Sequence, residues 1–301
     1  MKRGSSTMTL DSRACPKPRR FAISHVIMGL ARTSRPLGWI AALALYRIGM
    51  AYGAVQDSTV TLLLSIVITF PFCLYLFGLN DLADQDSDAD NPRKGNWIHG
   101  ASSPIPHTLS RWAPWIGGAM VASIIPWLPL AAALLLSGIL FLSWAYSSPP
   151  IRLKEIPIVD GLVTASIMIG LLCLGHLSGP SSLPLATETF TVAPTLVGLH
   201  IFASVVDVDA DKTAGHRTLA VRTSPRFAGI VALALSLVST STIPWLDYSP
   251  PITAYLILQP IVFVVWMLFG RRFTGHRAIS LVGLAGLLTL LYLALVYVRQ
   301  R

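Results

Sequence analysis

The chain has 301 residues, of which 53% are hydrophobic and only 12% charged; its net charge is +9 and its mean hydropathy +0.63. A soluble domain of this size carries about 25% charged residues, so the composition argues against a water-soluble globule. A large buried α core fails as well, because the apolar runs are too long and too many.

In chain order, residues 1–20 are basic and polar, with Asp11 as the only acid and no apolar segment of a secretory signal. This reads as a polybasic tail beside anionic lipid, or as an organelle transit peptide. From Phe21, the apolar positions Phe21, Ile23, Ile27 and Leu30, flanked by Arg20, Arg32 and Arg35, predict a short interfacial helix. Residues 1–35 are therefore set apart from a membrane domain over 36–301. A span needs roughly 20 mainly apolar residues. Nine candidates follow, at about 37–55, 59–79, 112–127, 129–146, 159–178, 191–207, 226–246, 252–270 and 277–298. The third and fourth are separated by Pro126-Trp127-Leu128-Pro129 and should form a tight hairpin. The expectation is an all-α, polytopic membrane protein.

The basic residues fall in alternate loops. Those after spans 2, 4, 6 and 8 hold Arg93, Lys94 and Arg111; Arg152 and Lys154; Lys212, Arg217, Arg222 and Arg226; and Arg271, Arg272 and Arg277. The loops after spans 1, 3, 5 and 7 have no Lys or Arg. This distribution does not point to nucleic acid. It is a positive-inside pattern, placing the N-terminus on the cytoplasmic side of the cell (inner) membrane, or of an organelle membrane if the tail is a transit peptide. Arg299 and Arg301, past the ninth span, run against it. Cys15, Cys73 and Cys173 are scattered and support neither a zinc site nor a disulfide framework.

Eight of the fourteen carboxylates lie in two windows, Asn80–Asp90 and Asp207–Asp211, each at the end of an apolar run and on the same side as the basic loops. If the second span continues helically, Asp81, Asp84 and Asp88 share one face; Asp207 and Asp211 do the same at the end of the sixth. Carboxylates stacked in this way repel each other unless divalent cations sit between them, and oxygen donors suit Mg²⁺. Asp86, Asp90 and Asp209 point away and read as solvated loop acids. An EF-hand loop is excluded, because counting from Asp84 puts Ala89 and Gly95 at the positions of its Gly and Glu, and counting from Asp207 puts Lys212 and Thr218 there. Arg93 and Lys94 follow the first window, Arg152 and Lys154 close the fourth span, and Lys212 and Arg217 flank the second window. Alternating acid and base of this kind fits a metal-bridged diphosphate. The rival reading of each basic residue is a topology determinant facing lipid headgroups.

These motifs resemble the UbiA superfamily of intramembrane prenyltransferases. The resemblance rests on Asn80-Asp81-x-x-Asp84-x-x-x-Asp88, on Asp207-x-x-x-Asp211 continuing to Gly215 and Thr218-Leu219, and on Tyr146-Ser147 with Pro149-Pro150-x-Arg152-Leu153-Lys154. Ser34-Arg35-Pro36 resembles the usual entry to the first helix, and the likeness spans roughly 34–298. It implies a nine-helix bundle with a central cavity open to lipid, and two Mg²⁺ ions holding an isoprenyl diphosphate. Asn80, Asp81, Asp84, Asp88, Asp207 and Asp211 would then be metal ligands or their close supports. Arg93, Lys94, Arg152 and Lys154 would hold diphosphate, joined by Lys212, and Tyr146 would lie near the reacting carbon. Asp84, Asp211, Lys94, Arg152 and Tyr146 would carry the catalysis.

Asn91-Pro92-Arg93-Lys94-Gly95 and Tyr146-Ser147-Ser148-Pro149-Pro150 are closest to the lycopene elongase branch, which makes an aromatic quinone precursor the less natural acceptor. Ionising an allylic diphosphate separates a carbocation from pyrophosphate; cations stabilise the leaving group, an aromatic face the carbocation, and apolar walls exclude water. No residue takes the final proton from sequence alone. The alternatives are a polyprenyl-phosphate phosphoribosyl transferase of the same superfamily, a membrane transporter or cation-binding protein, and a soluble isoprenyl diphosphate synthase.

Overall fold

The computed structural model describes residues 23–84, 107–179, 187–213, 215–270 and 272–299, and among them every regular element is helical. In chain order these are α1 (Ile23–Thr33), α2 (Pro36–Tyr52), α3 (Thr59–Val67), α4 (Phe70–Ala83), α5 (His107–Ala122), α6 (Leu130–Ser147) and α7 (Val159–Leu177). They continue as α8 (Glu188–Thr191), α9 (Ala193–Val206), α10 (Val208–Thr213), α11 (Leu219–Arg222), α12 (Pro225–Thr240), α13 (Pro250–Phe269) and α14 (Gly275–Arg299). Among the described residues, seven helical stretches are long and apolar enough to cross a membrane: Thr59–Ala83, Leu130–Ser147, Val159–Leu177, Glu188–Val206, Pro225–Trp245, Pro250–Phe269 and Gly275–Val296. The other two predicted spans correspond to α2, of 17 residues, and α5, of 16. A 3₁₀ turn, Ile125–Trp127, joins α5 to α6 at the predicted hairpin.

The second span departs from a continuous helix. It breaks at Ile68-Thr69, because Pro71 in the first turn of α4 has no N–H to carry the ladder across. The Thr69 hydroxyl donates to the Ile66 carbonyl at 2.6 Å, alongside the Thr69 N–H at 3.2 Å.

The helices pack in two groups. Side chains of α2, α4, α6 and α7 form one apolar core, around Tyr46, Phe72, Leu136 and Leu174; α9, α12, α13 and α14 form the other, around Phe202, Phe263, Ala232 and Val282. Helix α7 joins them, packing on α2 and α6 on one side and on α9 on the other. The α2–α7 crossing is so close that a Cβ on Gly49 would lie 1.8 Å from the Leu172 carbonyl oxygen, and one on Gly175 would lie 2.0 Å from that of Tyr46. Small residues at such crossings let helix backbones touch where lipid offers no hydrophobic drive to association.

The second group also has polar cross-links. The buried Gln259 amide donates to the Thr195 carbonyl at 2.9 Å and to the Ser236 hydroxyl at 2.8 Å, tying α13 to α9 and α12. Interhelical hydrogen bonds in membranes contribute about 0.6 kcal/mol each, up to about 1.7. Gln259→Leu is therefore expected to lower the stability of detergent-solubilised protein by about 1–2 kcal/mol, read as a fall in thermal midpoint with no change in helix content. Large apolar side chains such as Leu134, Phe141, Leu237, Leu268 and Leu288 are exposed around the outside. That suits a surface whose solvent is lipid.

Candidate active site

Helix α4 ends at Ala83, with Asp84 as its C-cap at φ −112°. The two described acids of this window, Asp81 and Asp84, turn to different partners. Asp81 accepts from Arg35 Nη2 at 3.1 Å through Oδ1. Asp84 turns instead to the segment after α6, where Oδ2 accepts from Lys154 Nζ at 2.5 Å and Oδ1 from Arg152 Nη2 at 3.3 Å. Asn80, one turn before Asp84, shares this second face. Its Oδ1 accepts from Lys154 Nζ at 3.1 Å and from the Ser147 hydroxyl at 3.3 Å.

Both arginines that reach the end of α4 sit in left-handed backbone, Arg35 at φ 51° and Arg152 at φ 43°. A non-glycine residue there carries strain that surrounding contacts must outweigh, and such residues cluster at functional sites. For Arg152 those contacts are Asp84 and Glu155, the latter at 2.7 Å from Nε. For Arg35 they are Asp81 and the face of Phe77, whose ring centre is 4.4 Å from the guanidinium carbon. The Lys154 and Asp84 side chains are 8% and 9% exposed, so the pair is largely shielded from water. The start of α2, the end of α4 and the end of α6 thus converge on one face of the bundle.

The second acidic window keeps its predicted register. Asp207 caps α9, and the Asp211 N–H donates to the Asp207 carbonyl at 2.8 Å, so the two acids remain one helical turn apart. Asp207 and Asp211 are half-buried, whereas Asp209 and Lys212 are exposed. The following loop folds back on Asp211: the Thr218 hydroxyl donates to Oδ2 at 3.1 Å and the His216 N–H to the backbone carbonyl at 2.9 Å, across Gly215 at φ 74°. Tyr146 points into the bundle, its hydroxyl 3.5 Å from His200 Nε2, and His200 in turn faces Asp160. Asp88, Arg93 and Lys94 lie outside the described residues. Among the described residues no three His, Cys, Asp or Glu side chains gather closely enough to hold a metal ion.

Asn80, Asp81, Asp84, Asp207 and Asp211 nevertheless offer an all-oxygen donor set, which is what Mg²⁺ takes. Asp84 is held in place by Arg152 and Lys154, one on each of its oxygens. The residues fit the metal in chemical type.

A family model described as the UbiA prenyltransferase family matches residues 38–281. The chain belongs to that family. This UbiA-family protein is a prenyltransferase and a multi-pass membrane protein. Its relatives place it with the lycopene elongase branch. The lycopene elongase/hydratase of Halobacterium salinarum is 26% identical over 278 residues, covering 83% of this chain and 92% of the relative. That of Corynebacterium glutamicum is 30% identical over 235 residues, covering 70% and 76%. The fold matches a UbiA homolog from Archaeoglobus fulgidus, solved bound to DMAPP and Mg²⁺, with a TM-score of 0.70 at 18% identity over 90% of this chain and 99% of that one.

Around the candidate site, Arg35 on Asp81, Ser147 on Asn80, Glu155 on Arg152 and the Asp160–His200 pair beside Tyr146 carry no site role in the sequence reading. Asp160 and His200 had one available signal, since an ionisable residue inside a membrane span is a functional candidate by default.

Proposed function

We propose that the chain transfers an isoprenyl group from an allylic diphosphate to an apolar, carotenoid-like acceptor of the lycopene class. The observation that carries this reading is the cluster at the end of α4, where Asn80 and Asp84 meet Lys154 and Arg152 beside Tyr146. The names of the relatives support the acceptor class. The Mg²⁺ and DMAPP bound by the A. fulgidus homolog support the donor and metal.

In this reading Lys154 and Arg152 donate hydrogen bonds to diphosphate oxygens, and Arg93, Lys94 and Lys212 are the further candidate cations for it. Asn80, Asp81, Asp84, Asp88, Asp207 and Asp211 would hold divalent metal, two Mg²⁺ ions, which supplies charge stabilisation to the departing pyrophosphate. The Tyr146 ring would face the carbocation. Apolar helices packed around the reacting carbon would exclude water that would quench it. The positive-inside pattern supports a cytoplasmic active site and N-terminus in the cell membrane. Helix α1, with Ile23 and Ile27 exposed, fits an interfacial element ahead of the membrane domain.

Purified protein given labelled dimethylallyl diphosphate, lycopene and Mg²⁺ is expected to form a prenylated carotenoid and release pyrophosphate, and EDTA should remove at least about 99% of turnover. Transfer that persists in EDTA would remove the metal from the reading. Product made from a phosphoribosyl diphosphate and a polyprenyl phosphate would assign the chain to the other arm of the superfamily.

A further inference from the structure

The Asp160–His200 pair is not needed to bind diphosphate, yet it sits inside the bundle. Asp160 is the second residue of α7 and almost fully buried, and His200 lies in the middle of α9. The Gly161 N–H donates to Asp160 Oδ1 at 2.6 Å, which leaves Oδ2 turned to His200 Nε2 at 3.7 Å. The Tyr146 hydroxyl approaches the same nitrogen at 3.5 Å. Tyr146 immediately precedes Ser147, which donates to Asn80. The trio therefore begins one residue from the cluster assigned to the diphosphate. A buried acid–imidazole pair is a costly way to hold two helices together, since apolar residues of similar volume do so as well or better. Its chemistry is that of a proton acceptor: Nε2 faces both the Tyr146 hydroxyl and the Asp160 carboxylate, which stabilises the imidazolium formed when that nitrogen takes a proton.

We propose that Tyr146, His200 and Asp160 take the proton that ends the prenyl transfer. The inference rests on the prenyltransferase reading of the site. Attack of the acceptor's double bond on the prenyl cation forms a C–C bond and leaves the positive charge on an acceptor carbon. An adjacent C–H bond then breaks and its electron pair closes a new C=C. The released proton goes to Tyr146 Oη as the tyrosine's own proton passes to His200 Nε2, and the imidazolium formed faces the Asp160 carboxylate. Asp160 is a positioning residue, acting through His200.

The test measures, in parallel, pyrophosphate released and the fate of the prenyl group from labelled dimethylallyl diphosphate and Mg²⁺, with lycopene and without any acceptor. Without acceptor, proton loss from the cation yields isoprene and water capture yields dimethylallyl alcohols. With lycopene, the same competition yields a new alkene or a water adduct. His200→Gln is expected to release pyrophosphate within about threefold of wild type while the ratio of proton-loss to water-capture products falls about 100-fold. Asp160→Asn should lower that ratio about tenfold and Asp160→Glu restore part of it. Thermal midpoints in detergent identify any variant that does not fold, and Tyr146→Phe gives a third substitution of nearly unchanged shape. The proposal is overturned if pyrophosphate release and all products fall together in folded variants, or if the ratio does not move. It is overturned equally if wild type makes only water adducts. Wild type that yields isoprene from donor alone but leaves lycopene untouched would overturn the acceptor class and support the trio.

Discussion

Asp84→Asn is expected to lower prenyl transfer by at least about a hundredfold, while folded protein is still recovered. Charge stabilisation of a departing pyrophosphate by bound metal contributes several kcal/mol, and each 1.36 kcal/mol is a factor of ten in rate. Asp84 is the acid most deeply engaged at the site, with Lys154 and Arg152 on its two oxygens. The substitution also has a structural cost, because it leaves the Lys154 ammonium, 8% exposed, with Asn80 Oδ1 and without its carboxylate. Breaking a buried pair costs about 3–5 kcal/mol when the remaining charge has no other partner, and Asn80 reduces that here. In the Asp84→Asn, Lys154→Met double variant the thermal midpoint should recover most of the loss, which would assign the structural cost to the stranded ammonium. Turnover within threefold of wild type in the single variant would show that Asp84 has no role in the reaction.

The second large effect lies away from the chemistry. Gly175→Ala places a methyl group 2.0 Å from the Tyr46 carbonyl oxygen, which is backbone on both sides of the contact and has no rotamer to yield. Overpacking of a flexible core site costs about 1–3 kcal/mol, and a rigid helix crossing belongs at or above the top of that range. Helices α2 and α7 must then separate. This also displaces α7 from α9 and so moves Asp160 relative to His200. The expected result is a fall of several degrees in the thermal midpoint in detergent and a smaller monodisperse fraction. A midpoint within one degree of wild type would mean that the crossing is looser than its geometry indicates.

Much of this was legible in the sequence for a simple reason: in lipid a spanning helix must be apolar along its length, so its position can be read from composition alone. The acidic windows stood out against that background. What could not be read were contacts made across the bundle. Asp81 was grouped with Asp84 by helical phase, yet Arg35, 46 positions earlier, draws Asp81 to one side, and Lys154, 70 positions later, draws Asp84 to the other. Nothing local pairs Asp160 with His200; only the packing of α7 on α9 does so. The break at Ile68-Thr69 was readable, since Pro71 lies inside the second span, but an apolar run does not distinguish an interrupted span from a straight one. The second window kept its register because its backbone stays helical from Asp207 to Asp211.

In the proposed function the acids at the ends of α4 and α9 bind a prenyl diphosphate through divalent metal. Calorimetric titration of the purified protein with a non-ionising dimethylallyl thiolodiphosphate tests it most directly. Saturable binding is expected in Mg²⁺, at least about tenfold weaker in EDTA and in either Asp84→Asn or Asp211→Asn. Equal affinity with and without Mg²⁺, or binding unaffected by both substitutions, would contradict it.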